Sequence, residues 1–365
     1  MSIQSTHRPG RPHPALSRRA LLAGTAAGAV GLSLAACGKG KKSGSQGDSK
    51  TVTVVTHDSF HVSEDLQKAF TSETGYTLKV ATSGDAGALV NKLVLTKDAP
   101  LGDAVFGIDN TYATRALDQG VIDTSATVTL PKGAESYVVA DTPALAPIDV
   151  GDVCLNIDTG YFTGKGLTPP ATFEDLTKPE YKGLLVAINP TNSSPGMAWL
   201  LATIGHFGAG SFAGYWKQLM ANGARIAEDW SAAYETDFSG SGKGTYPIVV
   251  SYASSPSFTV SKDKSSSTTS ALLDTAFRQV EYAGVLKGAA NPEGGKAFVT
   301  WMLSKAVQED IPGQMYMYPV LPDAALPEAL TKFGPLSKSP VKVDPKEITT
   351  HREEWLNTWT GAVGK

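Results

Sequence analysis

The chain is poor in the residues that build metal frameworks and covalent chemistry. Two cysteines, Cys37 and Cys154, and six histidines are spread over 365 residues. No Cys-x-x-Cys pair occurs, so there is no thiol-based metal motif. His57 and His61 stand four apart with Asp58 between them and read as surface residues. There is no Gly-x-Ser-x-Gly elbow, and the glycine-rich runs miss their motifs. In Gly240-Ser241-Gly242-Lys243-Gly244-Thr245 a glycine follows the lysine where a phosphate loop needs Ser or Thr. After Gly208-Ala209-Gly210 the next glycine is Gly214, one place late for dinucleotide binding. Ser261 and Lys264 have the spacing of a nucleophile pair but lie in a polar low-complexity loop rather than on a helix. The chain reads poorly as a catalyst. It also has no excess of basic residues, with 32 Lys and Arg against 35 Asp and Glu.

What is present begins at the N-terminus. Ser17-Arg18-Arg19-Ala20-Leu21-Leu22 leads into an uncharged Ala/Gly/Leu run from Ala20 to Leu34, which ends in Leu34-Ala35-Ala36-Cys37. The run is shorter than the roughly 20 residues of a membrane span. A basic head, a short apolar middle and small residues at a cleavage site predict an export signal over residues 1–36. The arginine pair resembles a twin-arginine signal, and Leu-Ala-Ala-Cys resembles the lipobox in which the cysteine becomes the lipidated first residue. The expectation is an exported protein held by lipid on Cys37 to the outer face of the cytoplasmic membrane or in the periplasm. Residues 37–50 then form the anchor and a flexible tether. The segment from Gly38 to Lys50 has no apolar residue and spans roughly 20 Å as a random coil.

Removing residues 1–36 takes four arginines and no acid, leaving 28 basic against 35 acidic residues and a formal charge of −7. That balance argues against nucleic acid as a partner. With Cys37 lipidated, Cys154 has no disulfide partner; between Val153 and Leu155 it reads as a small buried hydrophobe. The remaining 329 residues exceed one comfortable core and suit two lobes.

Strand and helix signals alternate, which predicts α/β architecture on mostly parallel sheets. Strands read at 51–55, 78–81, 104–107, 151–157, 184–188 and 248–252, the last late and isolated. Helices read from a cap at Asp58 or Ser59 through Phe70, from about Gly87 to Thr96, and from an N-cap at Ser194 with Pro195 in the first turn. Asn291-Pro292 opens a helix with Phe298, Trp301 and Met302. Asp344 opens a last one with Ile348, Trp355 and Trp359 on one stripe. Residues 261–270 read as a polar loop and 319–345, rich in proline, as extended surface chain.

Four clusters of aromatic and small polar residues sit on loops after strands, where α/β proteins place ligands. They are Thr191–Gly196 at a helix start, Trp230–Tyr234, Ser251–Pro256 and Tyr316–Pro319. Val54–Phe60 and Phe106–Asn110 complete a series of six blocks. Their order, in an exported lipoprotein, resembles the solute-binding proteins of ATP-binding-cassette importers, and within them the periplasmic thiamine-binding proteins.

The resemblance implies an α/β two-lobe periplasmic-binding-protein-like fold of type II, with the ligand cleft between lobes. Lobe 1 would take 51–147 plus about 253–311, and lobe 2 about 148–252 plus 312–365. It implies a receptor and not an enzyme, with no cofactor and no metal. The receptor would be a monomer that passes thiamine or a thiamine phosphate to a permease and its ATPase. Carried over, Asp85, Ala86, Ser193, Ser194, Trp230, Tyr252 and Tyr316 line the cleft, with His57 and Asp109 beside them. Trp230 and Tyr252 suit an aminopyrimidine or a thiazolium cation, Asp85 an amine or positive charge, and the two serines a hydroxyl or phosphate end.

The chain departs from the family at His57 and Tyr316, where larger aromatics are expected, and at Asp229, an acid before Trp230. The added acid implies preference for thiamine over its phosphates. Two alternatives remain: the same receptor class for another small cation such as a polyamine or ferric iron, and a cell-surface hydrolase. The second would have to use His57, His61, His206 or His351, none of which lies in a catalytic motif.

Overall fold

The computed structural model describes residues 50–241 and 243–364. The export signal, Cys37 and all of the tether but Lys50 lie outside them. The chain enters through β1 (Thr51–Thr56), whose alternate residues Val52 and Val54 are fully buried. Next come α1 (Glu64–Thr74), β2 (Thr77–Thr82), α2 (Ala86–Leu95), β3 (Ala104–Asp109) and α3 (Ala113–Asp118). The middle of the chain holds β4 (Ala146–Asp158), α4 (Thr159–Lys165), β5 (Leu185–Ile188), α5 (Ser194–Phe207), α6 (Phe212–Ala221), β6 (Arg225–Ala227) and β7 (Ile248–Tyr252). The last part is β8 (Thr269–Val285), α7 (Pro292–Met302), α8 (Lys305–Met315), β9 (Tyr318–Pro319), α9 (Glu328–Phe333) and α10 (Pro345–Val363). Among the described residues no helix is long and apolar enough to cross a membrane.

The strands form one mixed sheet in the order β2-β1-β3-β8-β4-β7-β5-β6, with β9 also on β4. Its flanks are parallel: β1 with β2 and β3, and β5 with β6 and β7. Its centre is antiparallel, because β8 pairs with β3 and β4, and β4 with β7 and β9. The expectation of mostly parallel pairing thus holds only at the flanks. The strand at 248–252 is not isolated but links β4 to β5.

The missed element is β8, the longest strand at 17 residues. Asp274, Arg278 and Glu281 interrupt its apolar pattern, so no hydrophobic period announces it. Its length and that of β4 let β8 pair with both β3 and β4, and β4 with β7, β8 and β9. The pairing of β4 with β8 shifts register twice, between Pro147 and Asp149 and between Val153 and Leu155. Such shifts bend and twist a ladder.

Side-chain caps set four of the ten α-helix starts among the described residues. Asn291 caps α7 through Gly294 N and Asp344 caps α10 through Lys346 N, at 2.9 and 2.8 Å. The first helix starts later than expected, after Ser63, and α5 starts with Ser193 rather than Ser194 at the N-cap position, without a side-chain cap bond. Ile348, Trp355 and Trp359 of α10 are buried as the stripe requires. Trp359 meets Trp216 edge-on at 5.7 Å, and Trp216 meets Trp199 at 5.1 Å. Edge-to-face aromatic pairs of this kind add to the area they bury, and here they fix α10 over α6 and α5. Between β9 and α10 the chain, residues 320–344, is irregular apart from α9, with a turn at 322–323 and a bridge from Val341 to Phe277. In the polar 261–270 loop Ser267 bridges to Val260, and the last two residues belong to β8. Cys154 is fully buried and its thiol is free. Burial pushes that thiol up, away from reactivity.

Candidate functional site

Seven of the nine residues expected at the ligand site converge on one cavity of about 250 Å³: His57, Asp85, Ala86, Ser194, Trp230, Tyr252 and Tyr316. It opens past the ends of β1, β6 and β7 and at the first turns of α2 and α5, the side of a parallel sheet where helix N-termini gather. Asp85 ties the two helix starts together. Its Oδ1 accepts from Ala86 N at 2.6 Å and from Ser194 N at 3.2 Å. Burial pushes this carboxyl above the ordinary range, against the pull of those amides. Ser194 Oγ is buried in the cavity wall with no hydrogen-bond partner among the described residues. Ser193, fully buried, and Asp109, also fully buried, do not line the cavity.

The aromatic wall is built locally. After β6 the chain turns into a short helix that widens to π-helical geometry over Ala232–Asp237, so Trp230 stands on helical backbone rather than on a loop. The Trp230 ring stacks on Tyr234 at 5.0 Å and 11°. Its indole N–H donates to Ser251 Oγ at 3.0 Å. Tyr252, at the end of β7, donates its hydroxyl to Gln279 Oε1 at 3.3 Å. Tyr316 ends α8 in the left-handed region, φ 63°, and packs against Phe258. Holding a tyrosine there costs roughly 1–3 kcal/mol, which places a strained residue on the cavity lip.

His57 is buried, contrary to the surface reading, while His61 is exposed. Its Nδ1 accepts from Ser59 N at 3.1 Å, and Nε2 lies 3.4 Å from Glu281 Oε1. Burial opposes its charged form, yet Glu281, with smaller contributions from Asp85 and Asp58, raises its pKa above 6.5. Sequence reasoning missed Glu281, and with it Glu235 and Gln314. Glu281 is a single acid between Val280 and Tyr282 in a strand whose alternation nothing else betrayed.

Charge is the cavity's other property. Asp58, Asp85, Glu235 and Glu281 line it, and among the described lining residues there is no lysine or arginine. Behind it, Asp109 Oδ1 accepts from the amide and hydroxyl of Thr111 at 2.7 and 2.6 Å, and burial pushes its carboxyl up to about 7. Burial and the neighbouring Glu281 push Asp149 well above the usual carboxylate range. Burial likewise raises the Tyr252 phenol well above 10. A site of this sign favours a cation. Among the described residues no group of three or more His, Cys, Asp or Glu is placed to hold a metal.

The sequence profile of the bacterial extracellular solute-binding proteins matches residues 103–334. Thiamine-binding periplasmic proteins of Salmonella typhimurium and Escherichia coli are each 27% identical, over 86% of this chain and 94% of theirs. A solved periplasmic thiamin binding protein superposes with a TM-score of 0.75 at 25% identity, covering 86% of this chain and 96% of that one. An iron-bound protein from Pseudomonas aeruginosa superposes at 0.67 and 20% identity, covering 86% and 99%. A type II periplasmic-binding-protein fold therefore carries more than one ligand chemistry, and the cleft has to decide between them.

Proposed function

The chain belongs to the bacterial extracellular solute-binding proteins, and from that premise we propose that it captures thiamine and delivers it to an ATP-driven import permease. One observation carries the reading. The cavity sets Trp230 and Tyr252 among four carboxyl groups and no basic side chain but His57. Thiamine carries a permanent cationic ring joined to a flat aminopyrimidine. Aromatic faces attract such a ring by cation–π contact, and Asp85 can accept from the exocyclic amine. Ser194 Oγ, unpartnered at the start of α5, suits the hydroxyethyl end.

The two lobes of this reading, 51–147 with about 253–311 and about 148–252 with 312–365, share the sheet through β4 and β8. The register shifts in those strands are where it would bend as the lobes close on ligand. Closure is a population shift driven by contacts made to both lobes at once, and no bond is made or broken. Lipid on Cys37 would keep the body within reach of its permease. The receptor works as a monomer, without cofactor or metal.

Calorimetry of residues 38–365 against thiamine and spermidine tests the assignment. Micromolar or tighter thiamine binding with a change in tryptophan fluorescence is expected. Silence toward thiamine with binding of spermidine would move the protein to another cation.

A further inference from the structure

We propose that Glu281 is the residue that selects a positively charged ring over a neutral one of the same shape. This rests on the thiamine reading for its choice of probes. Glu281 on β8 stands directly opposite Asp109 on β3 and opposite Asp149 on β4. Cross-strand partners project to the same face, so three carboxyl groups form a row across the middle of the sheet. All three are at most 5% exposed, and of the three only Glu281 reaches the cavity.

Three adjacent buried carboxylates cannot all be ionised, since like charges at this depth repel strongly. Hydrogen-bond donors separate only Asp149 from the other two. Neither of its oxygens has a donor, whereas Asp109 Oδ1 accepts from the Thr111 amide and hydroxyl at 2.7 and 2.6 Å. Glu281 accepts from Gln279 Nε2 at 3.2 Å and has the His57 ring nitrogen at 3.4 Å. A proton in the row therefore falls first to Asp149, and Glu281 is the carboxyl that both the His57 ring and a ligand in the cavity can reach.

The groups around it are His57 after β1, Asp85 at the start of α2, Asp109 on β3, Asp149 on β4 and Tyr252 on β7. None is a fixed cation. The other cavity acids are less suited to the task. Asp58 and Glu235 are exposed to water, which screens them, and Asp85 is engaged by two backbone amides. Glu281 thus stands buried with only the titratable His57 ring as a cationic neighbour, and a cationic ligand would supply a permanent one.

The test compares thiamine with 3-deazathiamine, in which a neutral thiophene replaces the thiazolium. Wild-type protein should prefer thiamine by about a hundredfold, the scale of a desolvated charge pair. Glu281→Gln should bring the two within about threefold, by losing thiamine affinity while keeping that of the neutral ring. Glu281→Asp should restore part of the preference. Equal loss of both ligands, or an unchanged preference, overturns the proposal. If wild-type protein binds neither compound, the thiamine reading fails, and the charge assignment is then settled without ligand. Carboxyl carbon resonances of the free wild-type protein at pH 6 should show Glu281 ionised beside a protonated Asp149. A protonated Glu281 at that pH sinks the proposal.

Discussion

His57 occupies the space that a side chain at position 107 would need. A Cβ on Gly107 would overlap the imidazole at Cδ2, and Gly107 itself sits at φ +96°. The absence of one side chain on β3 therefore lets the ring lie inward, with Nε2 towards Glu281. Gly107→Ala should cost about 2–3 kcal/mol from positive-φ strain and overpacking. It should weaken thiamine binding as well, by displacing His57. Urea denaturation and calorimetry on the same sample measure both. A variant as stable as wild type with unchanged binding would refute the packing account.

Trp230 couples ligand to fold through its stack on Tyr234 and its bond to Ser251. Trp230→Ala should reduce thiamine affinity at least tenfold and abolish the ligand-dependent fluorescence change, on the scale of one aromatic contact to a cation. Far-ultraviolet dichroism should stay unchanged. Trp230→Phe should fall between the two.

The cavity's carboxyl groups predict an order among the ligands. Each added phosphate brings negative charge towards Asp85 and Glu235 with no lysine or arginine on the lining to receive it. Affinity should fall from thiamine to its monophosphate to its diphosphate, and shallow salt dependence should mark the first. Tighter binding of the diphosphate would contradict this directly.

Asp109 predicts a pH dependence of stability. Unfolded, it ionises near pH 4; folded, burial moves it to about 7. Between these values the folded state holds a proton that the unfolded state has released. Its contribution is greatest below about pH 4, declines as pH rises to 7, and is level above that. The whole decline amounts to about 4 kcal/mol at most. Asp109→Asn should match wild type near pH 4 and exceed its stability at pH 8, as read by urea midpoints. The same difference at both pH values would rule out this titration.

Asp152 and Arg278 pin the C-terminal strap to the sheet. Asp152, fully buried on β4, takes two bonds from the Arg278 guanidinium and one from Ser337 N at 2.6 Å. Arg278 also donates to Ser337 O at 3.0 Å. Arg278→Ala leaves a buried carboxylate without its counterion and should cost about 3 kcal/mol. The double variant with Asp152→Ala should cost less than the two single losses added together. Thermal denaturation of the four proteins completes that cycle.

The strands at 51–55, 104–107 and 184–188 could be read from β-branched runs, and α7 and α10 from their caps, because those signals are local. The cavity residues Asp85, Ser194, Trp230 and Tyr252 were legible only through the order of blocks along the chain. β8 was not legible, since Asp274, Arg278 and Glu281 fall on a strand that is buried by its neighbours rather than by its own period. For the same reason His57 read as surface: nothing near it in sequence says that Gly107 leaves room for it.

The sequence by itself determined the β-branched strands, the capped starts of α7 and α10, the acidic balance and the aromatic and small polar groups of the cleft, since each depends on residues close together in the chain. Only the tertiary structure decided where the charge sits. Asp109, Asp149 and Glu281 lie far apart in sequence and meet because β8 inserts antiparallel between β3 and β4. A one-residue slip in that register would turn the side chains to the opposite face, and the row would not exist.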